Sequence, residues 1–213
     1  MAVKRANLAT KSVLLKRAFF DRDPRQVSRE LLGKLIVRRQ GRKLIAGRIV
    51  EVEAYLGADD AAAHAAAGRT QRNDVIFGPP GRAYVYFIYG MHYCLNISCL
   101  KEGEAGCVLI RALEPVEGVE QMARARELDE LNLGSARELR KLTSGPARLC
   151  EALDITRPRD NGKDMLSPGS DLQVRDDGWT PEEIAITPRI GISKSADMPL
   201  RYVVAGNVFV SGR

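Results

Sequence analysis

The chain has 213 residues, 45% hydrophobic and 28% charged, with a formal charge of +6, an ordinary globular composition with enough length to bury a sizeable core. No uncharged run is long enough to cross a bilayer and the start carries no apolar block of a secretion signal. The expectation is therefore a protein without a membrane partner that works inside the cell, in the cytoplasm or nucleoid of a bacterium or the nucleus or an organelle of a eukaryote. Its basic side is weighted to arginine, 24 against 9 lysines; forked guanidinium groups suit phosphates and bases, although a skewed genome composition gives the same bias.

Residues 1–17 carry Lys4, Arg5, Lys11, Lys16 and Arg17 and no acid, and are expected to form a flexible basic arm. The rest, 18–213, has no repeat or low-complexity linker and reads as one domain. Asp23 before Pro24 is a helix start, with Val27, Leu31 and Leu32 as the apolar face and Gly33 as the stop. Lys34–Arg38 reads as a strand, Gln40-Gly41 as a turn and Leu44–Tyr55 as a long strand antiparallel to the first.

Ala83–Ile97, A-Y-V-Y-F-I-Y-G-M-H-Y-C-L-N-I, sets four of the six tyrosines around a Tyr89-Gly90 break between two β-prone runs and predicts a hairpin. A large flat ring at a hairpin tip suits a wedge that fills the stack when a base is lifted from a duplex. A core hairpin with tyrosine hydroxyls at its rim has the same pattern. Gly106–Leu113 is a further strand, Glu117–Glu130 an amphipathic helix, and Ser144-Gly145-Pro146 the start of a helix through Leu153. Arg157–Glu183, rich in Pro, Asp and Gly, is expected to be loops and short strands, and Arg201–Val210 a closing strand. These elements make a single α+β domain.

Strand alternation places Glu51, Glu53 and Tyr55 on one side of the long strand and Val50, Val52 and Ala54 on the other, the core side. The first set lines up carboxylates beside a ring on which a planar base could stack. A solvated strand face whose glutamates pair with arginines has the same spacing. The cysteines Cys94, Cys99, Cys107 and Cys150 form no C-x-x-C pair, and His64 and His92 belong to no wider ligand pattern, so no metal site is expected and the thiols read as small core residues.

Several blocks occur in order: Glu51-Val52-Glu53-Ala54-Tyr55-Leu56-Gly57, Asp60 and His64, Gly68-Arg69-Thr70 with Arg72-Asn73, and Tyr84-Val85-Tyr86 through Tyr89-Gly90-Met91-His92 to Asn96. They continue through Val108–Pro115, Ser144-Gly145-Pro146 and Pro188-Arg189-Ile190-Gly191 to Pro199-Leu200-Arg201. Together they resemble the alkyladenine DNA glycosylases, also called methyladenine or N-methylpurine DNA glycosylases, over nearly everything from about Phe19 onward. The resemblance implies a cofactor-free single domain with a curved, mainly antiparallel sheet, flanking helices and a protruding hairpin. It also implies a monomer that takes damaged purines from double-stranded DNA without cutting the backbone.

By the same resemblance Glu53 activates water, aided by Arg111 and the backbone carbonyl of Ile190, and Glu51 does not hold that position. Tyr55, His64 and Tyr86 wall the flipped base, with Asn96 disfavouring the amino group of guanine and Leu109 in the pocket wall. Tyr89 is the wedge, with Met91 beside it, and Arg72 and Asn73 face the DNA. Gln71 stands where the family often has proline and Ile76 where it often has methionine, both near the expected pocket mouth. A protein that flips and holds such bases without hydrolysing them is the alternative, one that has no use for a water-activating carboxylate.

Overall fold

In the computed structural model, residues 8–212 are described. Of the basic arm expected over 1–17, residues 1–7 lie outside the described residues. From residue 8 the chain forms the helical turn α1 (Leu8–Lys11) and the short strand β1 (Val13–Leu14), which pairs with β7 (Leu172–Asp176). The turn α2 (Arg17–Phe20) leads to α3 (Pro24–Leu31), whose cap Asp23 accepts the Arg25 amide at 2.8 Å, as the Asp-Pro signal predicts.

β2 (Leu35–Gln40) and β3 (Lys43–Tyr55) form the expected antiparallel pair, and β4 (Ala83–Ile88) and β5 (His92–Cys99) the tyrosine hairpin. β6 (Gly106–Glu117) runs four residues beyond its expected end, through Pro115. Pro115 faces Gly47 where the β3–β6 register shifts, and such an irregularity tolerates a residue without an N–H. α4 (Val119–Ala125) is shorter than the helix expected over Glu117–Glu130, because Glu127 takes a positive φ of 53°. α5 (Ala136–Thr143) is an element the sequence reading missed, and α6 (Pro146–Ala152) is the helix expected after Gly145. α7 (Arg157–Asp160) and β7 lie in the segment read as loops and short strands. β8 (Ile184–Thr187) and β9 (Arg201–Val204) follow; β9 stops before Gly206, at φ 72°, rather than reaching Val210.

Among the described residues the strands form one nine-stranded sheet in the order β1-β7-β2-β3-β6-β5-β4, with β8 and β9 joined to it through β3, and every pairing is antiparallel. The fold is a single-domain α+β architecture, as expected. Val50, Val52 and Ala54 face the main core together with Val27, Leu31, Met122 and Leu149 from the helices. No helix among the described residues is long and apolar enough to cross a membrane.

The opposite face is not the solvated carboxylate row that the spacing also allowed. Glu51 and Glu53 are both 0% exposed. The loop around Ile190 and the segment at Ser211 fold back onto them, so carboxylates that look like surface groups in the sequence are interior ones.

Candidate active site

Five strands bring the chemistry into one row. Arg201 of β9, Glu53 of β3, Leu109 of β6, Asn96 of β5 and Tyr84 of β4 are successive cross-strand partners, and cross-strand partners project from the same face. One step along, Tyr55 pairs with Cys107 and Tyr86 with Cys94, on that face again. A cavity of about 400 Å³ opens here, walled by Tyr55, His64, Tyr86, Asn96, Leu109 and Arg111, with Tyr89 and Ile190 also lining it. That volume lies within the range of small-molecule sites, about 300–1,000 Å³.

Glu53 stands just behind the wall. Its Oε1 accepts the Ile190 amide at 2.8 Å and lies 3.1 Å from the Arg111 guanidinium, and its Oε2 accepts the Tyr55 hydroxyl at 3.0 Å. All three partners line the cavity. It is the amide nitrogen of Ile190 that meets the carboxylate; a carboxylate oxygen accepts, so a donor fits there. Burial, then the Glu53 charge, pushes the Tyr55 hydroxyl above its ordinary pKa. It therefore stays protonated and donating.

Glu51 is bound differently. Its Oε1 accepts from Arg111 Nε at 2.9 Å, Arg201 Nε at 2.8 Å and the Ser211 hydroxyl at 2.9 Å, while its Oε2 accepts the Ser211 amide at 2.5 Å. No wall of the cavity includes it. Arg111 bridges the two carboxylates because β6 carries it as an extra residue: Glu51 pairs with Ala112 and Val52 with Ile110, leaving Arg111 unpaired in the ladder. A bulge of this kind re-aims its side chain. Burial works against the Arg111 charge, and Glu53 and Glu51 together hold its pKa above the ordinary value.

The aromatic side of the cavity is a set of tilted rings. His64 meets Tyr86 edge-on at 4.6 Å between centroids, and its Nδ1 lies 2.9 Å from the Tyr84 hydroxyl. Burial, then the charge of Arg72, lowers the His64 pKa below its ordinary value, which leaves a neutral imidazole near neutral pH. Burial raises Tyr84 to about 12, and likewise Cys94 to about 11 and Cys107 to about 12. The two thiols in the wall are accordingly neutral, and all four cysteines are buried and free. Asn96 is buried, its amide donating to the Tyr84 carbonyl at 3.2 Å.

At the hairpin tip the Met91 amide donates to the Ile88 carbonyl at 3.2 Å, and Tyr89 and Gly90 both take positive φ, 51° and 68°. Two such residues in succession make the tight turn that matches strand twist. Tyr89 is 82% exposed and Met91 67% exposed, so the tip ring is no part of a core hairpin. Arg72 is exposed near His64 and Tyr84. Asn73, grouped with it as DNA-facing, is 2% exposed. Its amide donates to the carbonyls of His64 and Gly68 and its oxygen accepts the Thr70 amide: it braces the loop that carries Arg72. Ile76 is likewise buried, packed with Tyr84 and Cys107 behind the wall rather than at the mouth.

Three contributors escaped the sequence reading. Glu51 orients Arg111, Ser211 caps Glu51, and a fully buried Asp60–Arg189 ion pair, 2.5 Å at its shortest, ties the loop after β3 to the loop carrying Ile190. Asp60 and Arg189 lie inside the family-like blocks, but nothing local in the sequence pairs residues 129 positions apart.

Comparison with known proteins identifies the family. A sequence model described as methylpurine-DNA glycosylase matches residues 18–208. A protein of Koribacter versatilis, provisionally named 3-methyladenine DNA glycosylase, is 65% identical over 199 residues, covering 93% of each chain. Relatives with the same provisional name from Burkholderia lata and Alkaliphilus oremlandii are 47% identical over 200 residues and 43% over 201, covering 93% and 92% of this chain and 91% and 98% of their own.

Proposed function

The chain belongs to the methylpurine-DNA glycosylase family and is a DNA glycosylase, and on that premise we propose that it flips damaged purines from duplex DNA and hydrolyses their N-glycosidic bond with water activated by Glu53. The substrates are alkylated and deaminated purines of the 3-methyladenine, 7-methylguanine, hypoxanthine and ethenoadenine type. The product is an abasic site, and the protein acts as a monomer inside the cell.

The observation that carries this reading is a buried carboxylate whose three polar partners, two hydrogen-bonded and one ion-paired, all line a cavity walled by aromatic rings. A carboxylate offers about four acceptor sites. Oε1 accepts the Ile190 amide and is paired with the Arg111 guanidinium, whereas among the described residues Oε2 accepts only the Tyr55 hydroxyl. Oε2 thus retains room for a water. That water's oxygen attacks the sugar carbon, its proton passes to Glu53, and the bonding pair leaves with the base. A positively charged methylated purine departs neutral, while a neutral purine must also gain a proton as it goes. Base catalysis of this kind is worth about a hundred- to ten-thousandfold, and the carboxylate also faces the positive charge that develops on the sugar.

None of the residues lining the cavity is a lysine, which favours direct hydrolysis over a Schiff base. Flipping costs a few kcal/mol, and stacking on aromatic side chains returns about 1–3 kcal/mol per base. Tyr55, Tyr86 and His64 supply those faces, the exposed Tyr89 fills the vacated stack, and the buried Asn96 crowds the position of a guanine amino group.

A duplex with a single hypoxanthine or ethenoadenine, incubated with the protein and then treated with alkali, tests the reaction. Strand breakage that appears only after alkali is expected. Tight binding with the base left intact would instead mean a holder of damaged bases.

A further inference from the structure

The mechanism leaves Arg189 without a role, yet its position is closely specified. It is 5% exposed and not among the residues lining the cavity. One terminal nitrogen donates to Asp60 at 2.5 Å and to the Ala54 carbonyl at 3.0 Å, and the other to Asp60 at 2.8 Å. Nε is buried and donates to no oxygen. What the guanidinium covers instead is the ring of Tyr55, with Cζ 4.6 Å from its centroid. Since Tyr55 lines the cavity and Arg189 does not, the cation sits on the side of the ring turned away from the pocket.

We propose that Arg189, acting through the Tyr55 ring, makes the pocket hold neutral damaged purines in preference to positively charged ones. The inference rests on the reading of Tyr55 as a wall on which the base stacks. An aromatic ring attracts a cation to either face through the same π-electron density. A guanidinium already seated on the rear face draws that density towards itself and repels a second cation on the front. A neutral purine keeps its stacking on such a ring. Asp60 balances the charge overall, but it grips the edge of the guanidinium and does not come between the cation and the ring.

The pair also has a structural effect to separate from this one. Asp60 accepts the amides of Leu56 and Ala62, and Arg189 precedes Ile190, so loosening the pair shifts both walls. A purely structural loss weakens every lesion alike. An electrostatic effect changes the ratio between them.

The test uses two duplexes, hypoxanthine and N7-methylhypoxanthine, each on a 2′-fluoro sugar that slows cleavage so that binding is read, in mildly acidic buffer where the methylated base keeps its N1 proton and the two differ by one methyl group and one charge. The double variant Asp60→Asn with Arg189→Gln keeps an amide pair in place and removes both charges; Arg189→Lys keeps the positive charge. The neutral-over-cationic preference should fall about fivefold in the double variant, the scale of one cation–π contact, and stay within about twofold of wild type in Arg189→Lys. An unchanged ratio in a folded double variant, with both affinities lowered together, overturns the proposal and leaves the pair as a clamp. If the double variant does not fold, Tyr55→Leu decides. Removing the ring should lower the preference for the neutral base if Arg189 already occupies its π density, and leave or raise it if the front face attracts cations freely. Wild-type protein that excises hypoxanthine from an ordinary deoxyribose separates failure of this inference from failure of the glycosylase reading itself.

Discussion

Glu51→Gln and Glu53→Gln are the same chemical change two residues apart on one strand, and the structure gives them opposite outcomes. At position 51 the carboxylate takes four donors, two of them the cations Arg111 and Arg201, and its Oε2 meets the Ser211 amide at 2.5 Å. A glutamine there must either turn its NH2 onto that amide or flip it onto three donors at the Oε1 position. Either way a donor faces a donor, Arg201 loses the carboxylate it pairs with, and Arg111 is left with Glu53 alone. Breaking a buried pair by removing one partner costs about 3–5 kcal/mol, and about 2–4 °C of melting temperature accompanies each kcal/mol in a chain of this size. We expect Glu51→Gln to melt at least about 6 °C below wild type. At position 53 the glutamine oxygen takes the Oε1 place, accepting from Ile190 and Arg111, and the NH2 donates to a Tyr55 hydroxyl that turns to accept. Glu53→Gln should therefore melt within about 3 °C of wild type. Differential scanning fluorimetry of the two proteins side by side decides; equal melting temperatures would refute the division of labour between the two carboxylates.

Other consequences follow from single residues. A tyrosine in the left-handed region costs about 1–2 kcal/mol that glycine does not incur, so Tyr89→Gly should leave the melting temperature unchanged or raised while capture of a flipped base weakens. A lower melting temperature matching the loss of activity would return Tyr89 to a packing role. His64, with its pKa lowered by burial, contributes stability that is fully present above its unfolded value near 6.5 and is lost as pH falls through the lower folded value. Imidazole resonances followed in His92→Gln protein should show His64 titrating below pH 6.5, and a midpoint at or above that value contradicts the geometry. Arg72→Ala should flatten the salt dependence of DNA binding by about one unit of slope if Arg72 meets a phosphate; an unchanged slope removes it from the interface.

The sequence carried the sheet well where local rules decide. Asp23-Pro24, Gln40-Gly41 and Tyr89-Gly90 mark a cap and two turns, and each sits where the structure has one. α5 had a signal that went unread: Ser135-Ala136-Arg137-Glu138 is a capping-box pattern, and the Ser135 hydroxyl accepts the Glu138 amide. The far end of β6 was hidden by Pro115, which reads as a stop unless the register shift opposite it is known. In the site, alternation grouped Glu51, Glu53 and Tyr55 correctly but could not separate the two glutamates. Their difference comes from what arrives from elsewhere: Ile190 at one, Arg201 and Ser211 at the other. Burial of this face is likewise long-range, since the covering segments lie 137 and 160 positions away in the chain. Asn73 shows the converse: the resemblance set it with Arg72 facing the DNA, whereas its hydrogen bonds run within its own loop.

Glu53 as the group that activates water is the claim on which the mechanism rests, and single-turnover excision by Glu53→Gln tests it most directly, read alongside binding to a duplex bearing an abasic-site analogue. We expect excision of hypoxanthine to fall by at least about a hundredfold with binding to the analogue within a few-fold of wild type. Excision at the wild-type rate by a folded Glu53→Gln protein would contradict the account.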